Sequence, residues 1–137
     1  MKSFKLNSVL VVLFLSLAFV SCNNDDDEVK TPNPISKVAF ATEIKGPATG
    51  KVNDELSYEV TFVVENACGE FDKISEVTIG AVKGLQVEAK YPSEVCTKQV
   101  PDPKKTIYKF KSAVKGTFDI KFRKSETEFI THKVVID

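Results

Sequence analysis

From residue 35 onward, apolar side chains recur at every second position in short runs. Clusters of Gly, Pro, Asn and charged residues separate these runs. The clearest covers residues 56–64. Leu56, Tyr58, Val60, Phe62 and Val64 fall on one face, with Ser57, Glu59, Thr61, Val63 and Glu65 opposite. One dry face and one wet face at period two predict an antiparallel strand lying on a core. Residues 117–123 repeat the pattern, with Phe118, Ile120 and Phe122 inward and Asp119, Lys121 and Arg123 outward. Less regular runs at 38–44, 74–82, 85–91, 106–111 and 129–136 bring the expected count to about seven strands. Turn-prone segments lie at 50–54, 66–69, 101–105, 115–116 and 124–128. Lys83-Gly84 is expected to turn the chain between the 74–82 and 85–91 strands. Short strands at this spacing predict an all-β sandwich over residues 35–137, and no helix signal follows residue 22.

The first 21 residues have a different pattern. Lys2 and Lys5 form a basic start, and residues 9–20 are apolar apart from Ser16. A core of about 12 apolar residues is too short for a membrane span, which needs roughly 20, but suits a signal peptide. It ends in Leu17-Ala18-Phe19-Val20-Ser21-Cys22, which resembles a bacterial lipobox, with Phe19 where that motif usually carries leucine. The following Cys22-Asn23-Asn24-Asp25-Asp26-Asp27-Glu28 is similar to the start of Bacteroidetes outer-membrane lipoproteins. The resemblance covers residues 1–30. It implies that Cys22 is the lipidated first residue of the mature chain, and that Asp25, Asp26, Asp27 and Glu28 direct export to the cell surface. Several acyl chains on one cysteine give the lasting attachment that a single chain does not. Residues 22–34 then form a flexible tether, held extended by mutual repulsion of the four acids and closed by Pro32 and Pro34. A calcium loop at Asp25–Asp27 is disfavoured, because such loops alternate their ligands and turn on a glycine.

Removing residues 1–21 leaves 17 basic and 19 acidic side chains, and four of those acids lie in the tether. The body is therefore close to neutral, which gives no support to nucleic-acid binding. Alternation explains most of the lysines at 104, 105, 109, 111 and 115 as solvent-facing strand positions. With Cys22 lipidated, Cys68 and Cys96 remain as a pair in an oxidising compartment and are expected to form a disulfide. A loop of about 29 residues closed in this way is worth about 3.6 kcal/mol by chain entropy. Zinc held by Cys68, Cys96 and His132 would lack any close ligand pair, and Cys-x-x-Cys redox spacing is missing.

Little in the sequence points to catalysis. His132 is the only histidine and lies within a strand run, facing the core or near an edge. Ser112 and Ser125 sit in ordinary turns, with no Gly-x-Ser-x-Gly. Glu76, Glu88 and Glu94 are the available paired carboxylates, and any pair among 19 acids is readily coincidental. The chain is expected to be no enzyme and to use no cofactor or metal. The tyrosines at 58, 91 and 108 are expected inward. The surface best suited to recognition is the proline-bounded loop 91–101, with Tyr91, Glu94, Lys98 and Gln99 as candidate binding residues. Residues 113–122 with 129–136 look like the last hairpin of bacterial immunoglobulin-like domains, which implies an immunoglobulin-like antiparallel sandwich. The expected function is a lipid-anchored envelope module that binds a protein partner, with glycan or peptide capture for uptake as the alternative.

Overall fold

The computed structural model describes residues 33–92, Cys96 and 100–137, all within one unit, Thr31–Asp137. The signal peptide, Cys22 and the acidic run Asp25–Glu28 lie outside the described residues, as do Glu94, Lys98 and Gln99. Among the described residues the chain is all-β. It has nine strands: β1 (Ile35–Ala39), β2 (Ala41–Lys45), β3 (Thr49–Gly50), β4 (Glu55–Phe62), β5 (Glu70–Ile79), β6 (Val82–Tyr91), β7 (Lys104–Lys111), β8 (Gly116–Arg123) and β9 (Phe129–Ile136).

The strands form two sheets. In the smaller, β4 lies between β2 and β7, antiparallel to both. In the larger, the path runs β1-β6-β8-β9-β3, with β5 on the other edge of β6. The alternation along β4 has the expected sense, with Tyr58, Val60 and Phe62 fully buried. Their partners come from the larger sheet and include Val87, Ala89, Phe122 and Val134. Four aromatic pairs bridge the sheets: Tyr58 with His132, Phe62 with Phe71, Tyr108 with Phe122 and Phe110 with Phe118, at centroid separations of 5.2, 6.2, 5.4 and 5.4 Å. Edge-to-face and tilted rings are the arrangements the aromatic quadrupole favours.

Three expectations are corrected. The 38–44 run is two strands in different sheets, because the chain crosses between them at Phe40. Ala39 and Ala41 are 2% and 1% exposed on either side of the crossing, and side chains this small let the backbone pass over the core. Phe40 is fixed by the Arg123 guanidinium 5.7 Å from its ring centroid and by Val63 N–H donating to its carbonyl.

The hairpin after residue 74 turns at Gly80-Ala81, and Lys83-Gly84 lies inside β6. Gly80 has φ 61°, the positive value that a two-residue type II′ turn requires at its first central position. Gly84 is a glycine for a different reason: a Cβ there would sit 2.4 Å from Cε1 of Phe129.

The pairing is also not wholly antiparallel. β3 runs parallel to β9, and β6 meets β8 in parallel at a single pair, Leu85 with Phe122.

Candidate functional site

The cross-strand register fixes which side chains share a face. In β6, Leu85, Val87, Ala89 and Tyr91 point into the core, and the same period makes Lys83 inward. Ile74 pairs with Val87, Glu76 with Leu85 and Thr78 with Lys83, so these β5 residues point to the same side. The inward face is thus apolar as far as Ile74 and Leu85, and polar beyond them.

Tyr108 and Phe110 of β7 lie opposite this polar end. β8 provides the remaining wall through Asp119, Ile120 and Lys121. The result is a cleft of about 560 Å³, its floor aromatic and its mouth marked by Glu76, Thr78 and Lys83.

Tyr108 differs from the other two tyrosines. Tyr58 is fully buried and donates its hydroxyl to Pro47 O at 3.0 Å. Tyr91 is 3% exposed and its hydroxyl accepts Glu65 N–H at 2.9 Å. Tyr108 is only partly buried, and its hydroxyl has no hydrogen bond among the described residues. Burial, and then the nearby Glu76 carboxylate, push its phenol up from the ordinary value, so it stays a neutral donor. Asp119 is already engaged: Lys133 bonds it at 2.9 Å and Lys121 adds a contact at 3.6 Å. These lysines, the Lys133 hydrogen bond above all, hold its carboxyl below the usual range.

The residues singled out from sequence are dispersed. Cys68 and Cys96 are bonded, with Cα atoms 6.2 Å apart, within the usual span for a disulfide. The bond joins the loop after β4 to the loop after β6 and leaves neither thiol free for a metal. Cys68 is placed by Asn66, whose side-chain oxygen accepts its N–H at 3.0 Å in a tight turn. Tyr91 is corrected from a recognition residue to a core residue, since its ring is enclosed and its hydroxyl satisfied.

Glu76 and Glu88 fall on opposite faces of the larger sheet and do not form a carboxylate pair. Glu88 instead accepts from Ser75, Gln86 and Ser36 and contacts Lys73 at 3.4 Å. The Ser75 hydrogen bond above all, with Gln86 and Lys73, holds its carboxyl below the ordinary value. His132 has Nε2 3.3 Å from Pro47 O and its ring edge-on to Tyr58. Lys105 and Lys109 are paired with Glu59 and Glu55 at 2.8 and 2.6 Å, which neutralises much of the β7 lysine row.

The cleft residues Thr78, Lys83 and Phe110 were not flagged by sequence. The available signal is that Glu76, Thr78 and Lys83 break an apolar alternation at inward positions. Placing a turn at Lys83-Gly84 hides it by breaking the register. No protein-family model, curated protein or solved structure matches this chain.

Proposed function

We propose that this chain is a lipid-anchored, non-catalytic module of the outer membrane, displayed outward, that binds a protein partner through the cleft between β5–β6, β7 and β8. The carrying observation is the cleft's composition: an aromatic floor and, among the described residues, a phenol with an unused hydroxyl and strand edges that stop pairing at its walls. Such a mixture of apolar floor and a few convergent polar groups is characteristic of binding sites.

The body is read as an immunoglobulin-like sandwich. The adjacent β4 and β7, the β8–β9 hairpin and the small-sheet and large-sheet division support that reading. The parallel β6–β8 contact is a departure from it. The lipid anchor at Cys22 and the export role of Asp25, Asp26, Asp27 and Glu28 rest on the sequence resemblance alone. The non-catalytic reading is supported by the separation of Glu76 from Glu88 and by the lysines that occupy Asp119.

The test is a benzophenone amino acid in place of Lys83, irradiated in living cells. A discrete protein adduct, absent when the photoreactive group replaces exposed Ile107, is the expected result. Equal labelling at both positions would overturn a cleft-directed partner. Glycan capture is the second reading, favoured by Tyr108, whose partly exposed ring could carry a sugar face. It predicts soluble oligosaccharide binding that Tyr108→Ala abolishes.

A further inference from the structure

Two strand edges in this domain stop short of each other. Along one edge of β6, Val87 to Tyr91 are laddered to β1, and Leu85 makes its lone parallel pair with Phe122. Among the described residues, no strand pairs with 82–84 on that edge. β8 is laddered to β9 along its full length on one side, yet meets β6 on the other only at Phe122. Extending the Leu85–Phe122 register would set Gly84 against Lys121 and Lys83 against Ile120, and neither pair forms. The cleft lies between these bare segments. Main-chain N–H and C=O groups left open side by side are a template for another strand.

We infer that this notch is a strand-acceptor site, filled by an extended end of a partner protein through backbone pairing. The inference rests on the protein-binding reading above and names how the partner is held. The β6 edge already carries one occupant of this kind. β1 runs antiparallel along it until Ala39 and then leaves for the other sheet, so an incoming segment continues the lane that β1 vacates. Because β6 and β8 are parallel, a segment antiparallel to one is antiparallel to both, the slightly more stable orientation. Three residues on each wall span roughly 10 Å, room for three or four residues of the guest. Its side chains alternate, so every second one meets Tyr108 and Phe110 and should be apolar. Glu76 and Lys83 have no ion-pair partner among the described residues and share that inward face at the mouth, so the inward guest residue nearest them should be polar or charged. The lane is closed by the Leu85–Phe122 pair, which favours a chain end over a strand passing through.

The test uses the mature chain with Cys22→Ser, so that no lipid is attached, and phage-displayed random heptapeptides as probe. Enriched peptides are expected to alternate apolar and polar residues. Methylating every second backbone nitrogen should weaken their binding at least tenfold, as should Thr78→Arg, which plugs the mouth from an exposed position. Bound peptide should also slow hydrogen exchange of at least one amide in 82–84 and one in 119–121. N-methylated peptides that bind as well as the parent would overturn strand addition while leaving a protein-binding module intact. Failure to enrich any peptide over the Thr78→Arg protein would overturn it too. A dimer of the protein alone, dissociated by Thr78→Arg, would assign the notch to a second copy and overturn it as stated. The in-cell crosslink at residue 83 reports separately on whether any partner comes there.

Discussion

Gly84→Ala should destabilise the domain, although replacing a strand glycine with alanine ordinarily helps. Alanine restricts the unfolded chain and stabilises by about 0.4–1 kcal/mol where the native backbone accepts it. No positive φ obstructs it at position 84. The obstacle is the Phe129 ring, with Cε1, Cδ1 and Cζ at 2.4, 2.8 and 3.0 Å from the new Cβ. Carbon atoms pack at about 3.5–4.0 Å, so the ring must retreat by about 1 Å. Overpacking of this kind costs about 1–3 kcal/mol, leaving a net loss of roughly 1 kcal/mol. For a domain of this size that is a fall in Tm of roughly 4–8 °C. Urea titrations followed by circular dichroism would measure it.

A double-mutant cycle isolates the cause. With Phe129→Ala as background the wall is gone, and Gly84→Ala should become neutral or stabilising, a coupling of at least about 1 kcal/mol. Gly80→Ala serves as the contrast. Nothing lies within 4 Å of its Cβ and its φ is 61°, so it should cost roughly 1–2 kcal/mol in either background. An undiminished Gly84→Ala penalty in the Phe129→Ala protein would refute the steric reasoning and point back to a turn requirement at this glycine.

Other measurements follow from the same structure. Replacing Cys68 and Cys96 together with Ala should lower stability by about 3.6 kcal/mol, read from urea midpoints, and native Cys68 should resist alkylation until reduced. Glu88 and Asp119 have folded pKa values below their unfolded ones, so the stability they supply is complete above the unfolded carboxylate range, about 4.5 and 3.8 respectively. It is lost as pH falls through the folded values. Urea midpoints should therefore drop as pH falls below about 4.5, and Glu88→Gln should make that drop shallower. Cys22→Ala should release the protein from membranes. Surface protease should digest the native domain on intact cells and spare a variant with Asp25, Asp26, Asp27 and Glu28 replaced by Ala.

What the sequence discloses about this fold depends on how far each constraint reaches. The faces of β4 and β8 are legible because period-two alternation is set by neighbours two residues apart. The Cys68–Cys96 bond is legible because few cysteines leave few pairings. The crossing at Phe40 is not, since Val38, Phe40, Thr42 and Ile44 keep alternating through the point where the chain changes sheets. Gly84 misleads for a related reason: local turn chemistry and a ring arriving from 45 residues downstream both call for glycine. That misplaced turn removes Lys83 from the face it shares with Thr78 and Glu76, and the cleft goes with it. Tyr108 looked like one more core tyrosine. Its place in the cleft where β6 and β8 part beyond Leu85 is a fact of tertiary pairing that no local pattern discloses.

The parting of those two strands also sets the proposed notch apart from the end of β6 that pairs with β1. The first strand begins at Ile35, paired with Tyr91 at the last residue of β6. The notch begins at the other end, around Lys83 and Leu85, six to eight residues away along one strand. At about 3.4 Å per residue that is roughly 20–27 Å. β6 therefore pairs with β1 along one part of its edge, and the strand-acceptor proposal uses the other part. The Leu85–Phe122 pair divides the two. If the pairing continued through Gly84–Lys121 and Lys83–Ile120, the notch would close. If it were lost, β6 and β8 would share no backbone pair. A single pair here keeps the larger sheet continuous and the acceptor edge open, so variants at Leu85 and Phe122 should impair folding and binding together, whereas Thr78 and Lys83 should affect binding alone.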